Sequence, residues 1–415
     1  MTFGRRTSTG LCVLLVVGSA PYTTTAQEGG TSTRFDFAQS LVHEEGDLTT
    51  GFAKNTYLRS DLGFFLNQSR SNSSTSLSFG AAVEIGDESA ENTVDLRDPF
   101  IRLSHDQFSA TQELGVDLSY ERRRIRDTIP DEDFDETALV FDAGDRDTYR
   151  FGFDYSTTPE VVTGFAVSAG YRKNVYRDAV NPSLNDDEIF DFQISAPLRI
   201  DQTRTITPLA TYYERKIEDF FPRDDRRTAV GIGYRQELNE TVSFNAELRY
   251  EDRLLETLIG NTIVPITNDG PTGSLGINLE RPDGSWTAQF DSTLLLDGRR
   301  REFGVQREVA FARSNLTFGL GVGDSDNADP TPLFNIAYNL EGVRSRLNLR
   351  AFQDLFEDQD NFETRRTGLS ASYVSQINNV SSWETSLNFG RTEQLTGFKT
   401  VDDRTIFDIA YRHSL

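Results

Sequence analysis

His43, His105 and His413 are the only histidines in 415 residues, and Cys12 is the only cysteine. A nucleophilic site needs a base beside its Ser or Cys, and a thiolate metal centre needs several cysteines. His43 and His105 fall near opposite ends of apparent strands, and His413 is almost terminal. No G-x-S-x-G elbow is present, and adjacent His105 and Asp106 make a poor relay. Acidic runs such as "PDEDFDE", "NDDE" and "DSDNAD" are plentiful. The last lacks the sixth-position glycine and closing glutamate of a calcium loop. Zinc and phosphate-loop spacings are absent. The expectation is no catalytic residue, no cofactor, no metal and no enzyme.

Arginine set against Asp and Glu at even spacing is the abundant pattern. The residues are Arg59, Asp61, Arg102, Asp117, Arg150, Asp154, Arg172, Asp191, Arg235, Glu247, Arg249, Arg346, Arg350, Asp408 and Arg412. Each alternates with apolar or aromatic neighbours. In "TYRFGFDYST", Tyr149, Phe151, Phe153 and Tyr155 alternate with Arg150, Gly152 and Asp154. In "VSFNAELRYE", Val242, Phe244, Ala246, Leu248 and Tyr250 alternate with Asn245, Glu247 and Arg249. Such a charged row can brace neighbouring strands through Arg–carboxylate pairs, or set charge selectivity along a water-filled path. Arginine's planar fork suits both roles, and only Lys54, Lys173, Lys216 and Lys399 are lysines. Both signs occur, so strong ion selectivity is not expected.

Alternation at period two is the mark of a strand with two different faces. It recurs along the chain in segments of about 10–13 residues, long enough to cross a bilayer at a tilt. One face apolar and one charged fits a barrel with hydrocarbon outside and water inside. A closed ring also pairs every backbone group. Turns alternate in length. "STTPEV", "RIDQTR", "ELNETV", "ERPDGSW" and "INNVSS" are short, whereas "RIRDTIPDEDFDETALVFDAGDRD", "RDAVNPSLNDDEI", "LLETLIGNTIVPITNDGP" and "GDSDNADPTP" read as long connections. Tyr120, Tyr171, Tyr250 and Trp286 stand where interfacial aromatics belong. The expected fold is all-β: a large closed antiparallel transmembrane barrel of about 18–20 strands. Short turns belong on the periplasmic side and long loops outside. The last stretch, "TIFDIAYRHSL", should pair with the first strand at "RFDFAQSL" and so remove both sheet edges.

Composition agrees. Net charge is −23, aromatic residues are 11%, and no basic stripe exists to neutralise phosphates, so nucleic acid is excluded as a partner. Arg5 and Arg6, the apolar "LCVLLVVG" and the small residues before Gln27 read as a signal peptide over 1–26, cleaved after Ala26. Residues 27–415 then form a single barrel domain with no internal linker.

The chain resembles bacterial outer-membrane β-barrel proteins over nearly its whole length. "TAVGIGYRQELNETVSFNAELRYEDR" is similar to strands of the β-barrel porin family associated with exopolysaccharide loci. The resemblance implies a cell outer membrane location in a Gram-negative envelope. It implies a porin-like channel for small hydrophilic solutes, or an aid to polysaccharide export. Partners would be outer-membrane lipid, lipopolysaccharide (with divalent-ion bridging to its phosphates) and the barrel-assembly machinery, which reads the C-terminal strand. Family members usually end on an aromatic residue, and this chain ends on Leu415. The alternatives are a non-transport surface barrel with a structural or adhesion role and, less favoured, a barrel hydrolase.

Overall fold

A computed structural model describes residues 13–17, 30–44, 55–88, 91–125, 144–157, 162–179, 185–218, 222–259, 262–357, 362–378, 381–396 and 401–413. The strands are β1 (Val13–Val17), β2 (Thr31–Glu44), β3 (Asn55–Arg70), β4 (Ser73–Glu88), β5 (Glu91–Phe108), β6 (Gln112–Arg124) and β7 (Asp145–Thr157). Next come β8 (Ala166–Arg177), β9 (Asp186–Ser195), β10 (Leu198–Arg199), β11 (Arg204–Glu218), β12 (Arg223–Asn239), β13 (Val242–Ile259) and β14 (Thr262–Arg281). The remainder are β15 (Gly284–Leu295), β16 (Gly298–Ala310), β17 (Ser314–Ser325), β18 (Ala328–Glu341), β19 (Ser345–Glu357), β20 (Glu363–Gln376), β21 (Ser381–Gln394) and β22 (Val401–His413). No α-helix occurs among the described residues.

Each long strand pairs antiparallel with its chain neighbour, and β10 prolongs the pairing of β9 along β11. Setting aside the short β1 and β10, the sheet has 20 strands among the described residues. Tight turns lie at both ends of it: Ser71–Asn72, Glu240–Thr241 and Gly342–Arg344 at one, Leu296–Asp297 and Asp326–Asn327 at the other, so short connections are not confined to one rim as expected. Side chains hold them. Asn239 Oδ1 accepts from the Thr241 N–H (2.8 Å) and the Val242 N–H (2.9 Å). Asp201 accepts from the Thr203 N–H and hydroxyl, which holds its carboxyl below the usual range.

Two further sequence expectations change. "TIFDIAYRHSL" pairs parallel with β1 (Leu15 opposite Tyr411), and β1 pairs antiparallel with β2 (Leu15 opposite Leu41). Among the described residues, β2 and β22 do not meet directly. An apolar stretch offers both ladder edges, so it fills the gap between two strands that each need a partner. Second, two expected long loops are strand. β13 and β14 pair out to Ile259 opposite Thr262, and β17 and β18 turn at Asp326–Asn327. Their polar residues lie along hairpins, where alternation is too weak to signal strand. Most of the connection between β6 and β7 lies outside the described residues.

The two faces of the sheet are inverted relative to a soluble protein. Leu248 (61% exposed), Leu320 (71%) and Val230 (63%) belong to the row that carries the apolar side chains, and that row is open. Charged side chains on the opposite row are enclosed, among them Glu84, Glu121, Asp225 and Arg253. Strand β5 also carries a bulge, where Ala82 pairs with Arg97 and Gly80 with Phe100. Asp98 lies within it at φ +47°, a conformation that costs most side chains energy but that Asp tolerates. Gly80 permits the bulge: a Cβ there would strike the Leu62 carbonyl and lie 2.7 Å from the Phe100 ring. Gly80→Val should therefore destabilise the folded protein by about 1–3 kcal/mol, measured by reversible unfolding in detergent.

Candidate functional site: the charged interior and its inward hairpins

Which face is interior follows from one contact. Glu357 at the end of β19 meets Arg253 on β13 (Nη1 to Oε1 2.7 Å, to Oε2 2.8 Å) with β14–β18 between them. Arg227 on β12 also reaches Glu357, at 3.3 Å. Asp225 completes the group, accepting from Arg253 at 2.9 and 3.1 Å and from Arg227 at 2.9 Å. Side chains can meet over such a strand separation only across a concave side. The row holding Asp225, Arg227 and Arg253 is therefore the inside of a strongly curved sheet.

The end of the β19–β20 hairpin is bent inward to make this contact. Pairing of β18 with β19 stops at Phe334 opposite Gln353. Pairing of β19 with β20 continues to Glu357 opposite Glu363, and β18 stays with β17 to Ala328. The hairpin thus leaves the wall for its last turn of sequence. Along one row of β19, Leu349 is exposed outward, whereas Leu355 is 7% exposed and packs on the inner row of β17 at Gly323. A side chain at Gly323 would displace Leu355. Arg366 anchors the bend, donating to Asp354 (Nε to Oδ1 3.0 Å) and lying 5.1 Å from the Phe352 ring centroid.

The β6–β7 hairpin repeats the device. Its pairing with β5 stops at Glu121 opposite Phe100, while β6 and β7 pair on to Arg124 opposite Asp145. Arg124 shares a row with outward Leu118, yet it bonds to Glu84 on the inner row of β4. Asp145 receives Arg97 of β5 at 3.4 Å. Two hairpin ends, at the same end of the sheet, therefore tuck inside their neighbours.

The charges expected to face inward sort as follows. Arg59 bonds Asp61 (2.9 Å), Glu84 (3.2 Å) and Asp98 (2.6 Å). Arg102 donates to Glu121 at 2.8 Å, and Arg150 lies 3.9 Å from the same carboxylate. Arg172 stands opposite Arg150 in register. Asp117 and Asp154 share the inner row with Asp106, around Gly115. Asp191 crowds the open space at Gly170. Glu247 pairs with Arg249 along one strand. Arg235 pairs with Glu237 (3.8 Å) and Arg346 with Glu341 (3.2 Å) near the end with the Glu240–Thr241 turn. Arg350 lies 4.9 Å from the Phe352 ring centroid. The side chains of Asp408 and Arg412 lie outside the described residues, as do those of His43 and His413. His105 sits on the outward-facing row beside Ile101 and Leu103, its Nδ1 2.8 Å from the Thr75 hydroxyl.

Most of these residues form local braces. The residues that close the interior are Glu357, Arg253, Arg227, Asp225, Arg124 and Glu84. Extending the period-two rows from Arg249 and Arg235 reaches Arg253, Arg227 and Asp225. No local signal marks Glu357, because its partner is set by the bend of the hairpin. Beneath the β19–β20 end lies a cavity of about 380 Å³, lined by Asp291, Glu302, Gln306, Asn335, Arg350 and Phe352 among others. No group of three or more His, Cys, Asp or Glu suited to a metal occurs among the described residues.

No protein-family model matches the chain, and no curated protein matches it in sequence. Solved structures do match in shape. The FrpB iron transporter from Neisseria meningitidis (F5-1 variant) is similar at TM-score 0.54 and 8% identity, covering 93% of this chain and 81% of that one. BauA, the ferric preacinetobactin receptor from Acinetobacter baumannii, is similar at TM-score 0.50 and 10% identity, covering 95% and 73%. At this identity the likeness is one of fold. The fold is that of these large β-barrels, and nothing in it singles out the porin family associated with exopolysaccharide loci.

Arg253 is 0% exposed and satisfies two carboxylates. Its replacement by Met would leave Asp225 and Glu357 to share Arg227 alone. Arg253→Met should cost about 3–5 kcal/mol, and Glu357→Gln, which leaves Arg253 its Asp225 partner, should cost less. Chemical unfolding of both variants checks the order.

Proposed function

We propose that this chain is a transport barrel of the bacterial outer membrane, its closed wall passing small hydrophilic solutes through an interior that the β19–β20 end narrows. The inversion of faces is the observation that carries this reading. A sheet with open leucines and enclosed arginines is stable where hydrocarbon covers the outside and water or ion pairs fill the inside. Paired backbone in every long strand meets the demand of the hydrocarbon region. Once a signal peptide over 1–26 has been removed, β22 and β2 would pair directly and complete a 20-stranded ring. Interior charge of both signs, largely paired, favours polar solutes over one class of ion.

A second reading is favoured by the shared fold with FrpB and BauA, an iron transporter and a ferric preacinetobactin receptor. On that reading the chain takes up a specific polar chelate, and the open cavity beside Arg350 and Phe352 is where it would rest. Polysaccharide export and a surface role without transport find no particular support in the geometry.

The channel reading expects presence in the outer-membrane fraction, heat-modifiable migration on denaturing gels, and stable conductance in planar bilayers. Protein that inserts yet gives no conductance argues against an open path. The hairpin is tested with Gly323→Cys and Leu355→Cys together, in a chain carrying Cys12→Ser. Oxidation should hold conductance low, and Glu357→Ala should raise it over the wild type. Equal conductance in all three states would mean that the hairpin does not limit the path.

A further inference from the structure

Glu357 and Glu363 stand opposite each other where the described pairing of β19 and β20 ends, so both point to the same side of the inward hairpin end. They meet unlike surroundings. Glu357 accepts from Arg253 at 2.7 and 2.8 Å and from Arg227 at 3.3 Å. Glu363 is 3% exposed, and neither of its carboxyl oxygens has a hydrogen-bond partner. Its backbone is held in place. The Glu363 N–H donates to the Thr396 hydroxyl (3.0 Å), and its carbonyl accepts from the Leu395 N–H (2.8 Å).

The groups around Glu363 come from several neighbouring elements. Ser325 of β17 faces it without a well-formed bond. Arg300 of β16 is the cation on that side, but its Nε lies 2.7 Å from Glu302, and among the described residues it forms no ion pair with Glu363. Asp297 in the turn before β16, Glu302 of β16 and Glu357 of β19 add negative charge. On β20 itself, Arg365 is turned to Glu393 of β21 at 2.6 Å, and Arg366 to Asp354 at 3.0 Å. An enclosed carboxylate without hydrogen bonds costs far more than the neutral acid in the same place. The inward position therefore requires a proton on Glu363, while the clamp on Arg253 requires charge on Glu357. Two carboxyl groups that face each other across one ladder have opposite demands.

We propose that Glu363 is a proton-operated catch on the β19–β20 end: protonated, it lets the end lie inside the wall, and its ionisation drives the end out. That this movement opens the path rests on the reading above, in which the end narrows it. The proton passes from the carboxyl to water, and no other bond is broken. The inward end binds this proton more tightly than the released end. Its share is therefore full in acid and falls as pH rises. One proton changes the inward-to-released ratio by at most about tenfold per pH unit. Glu357 makes the opposite contribution, since its protonation would take the charge from the Arg253 clamp.

Two readouts on the full chain in bilayers test this between about pH 5 and pH 9, the span over which enclosed carboxyl groups titrate. Hydrogen exchange of peptides containing Glu363, corrected for the intrinsic rate at each pH, reports release of the end. Planar-bilayer conductance reports whether release widens the path. In the wild type, corrected exchange should rise about tenfold or more over the range, as expected for one proton, and conductance should rise with it. Glu363→Gln, isosteric and uncharged, should hold both low at every pH. Glu363→Met, which fills the same place without a polar group, should do the same. Exchange that rises while conductance stays constant would leave the catch standing and refute the narrowing role of the hairpin. Wild-type exchange without pH dependence, or the same dependence in the folded variants, would overturn the catch.

Discussion

Everything in this molecule depends on the antiparallel ladder, because the ladder alone supplies its backbone partners. Among the described residues no helix stands behind the sheet, and no second layer covers it. A strand in such a sheet has two edges and two faces, and each must be satisfied without help from elsewhere. The edges are met by neighbours in chain order from β2 to β22. On the proposed membrane reading the faces are met by opposite media, hydrocarbon against Leu248 and Val230, water and ion pairs against Glu247 and Arg227. One register fixes both, since a slip of one residue would send the inward arginines such as Arg227 and Arg253 into the apolar band.

The inward hairpins show what that economy permits. A ladder can end early on one edge and continue on the other. Where β18 releases β19 at Gln353, the freed end folds into the concavity, and its outward row becomes a packing surface. Leu355 then finds Gly323, and Glu357 finds Arg253. The same logic places Arg124 on Glu84. A curved sheet can thus narrow its own mouth with wall residues, independently of any long loop. The interior is shaped by the bend of the hairpin and by paired charge together, which a row of charges read in one dimension does not convey.

Most of the fold was legible in the sequence because its signal is local and repeated. "TYRFGFDYST" and "VSFNAELRYE" state both faces outright, and the turn chemistry of Asn239 and Asp201 states where strands reverse. Legibility failed where geometry is non-local. The extended hairpin at Ala328 carries polar residues on both faces, and the one at Thr262 carries apolar residues on both, interrupted by Gly260, Asn261 and Pro265, so neither alternates as a strand should. The site was half legible. Arg59, Arg102 and Arg150 were visible as inward charges, but their role as braces depends on Glu84 and Glu121 across the ladder. Glu357 was invisible, because nothing near it in sequence records that the hairpin leaves the wall.

The central claim is that adjacent residues on one strand face hydrocarbon and enclosed water in turn. Spin labels placed singly at Glu247→Cys and Leu248→Cys, in chains carrying Cys12→Ser and reconstituted in bilayers, test it directly. Collision rates with oxygen and with a water-soluble nickel chelate should alternate, oxygen favoured at position 248 and the chelate at 247. The same accessibility at both positions, or the reverse order, would contradict the inverted barrel.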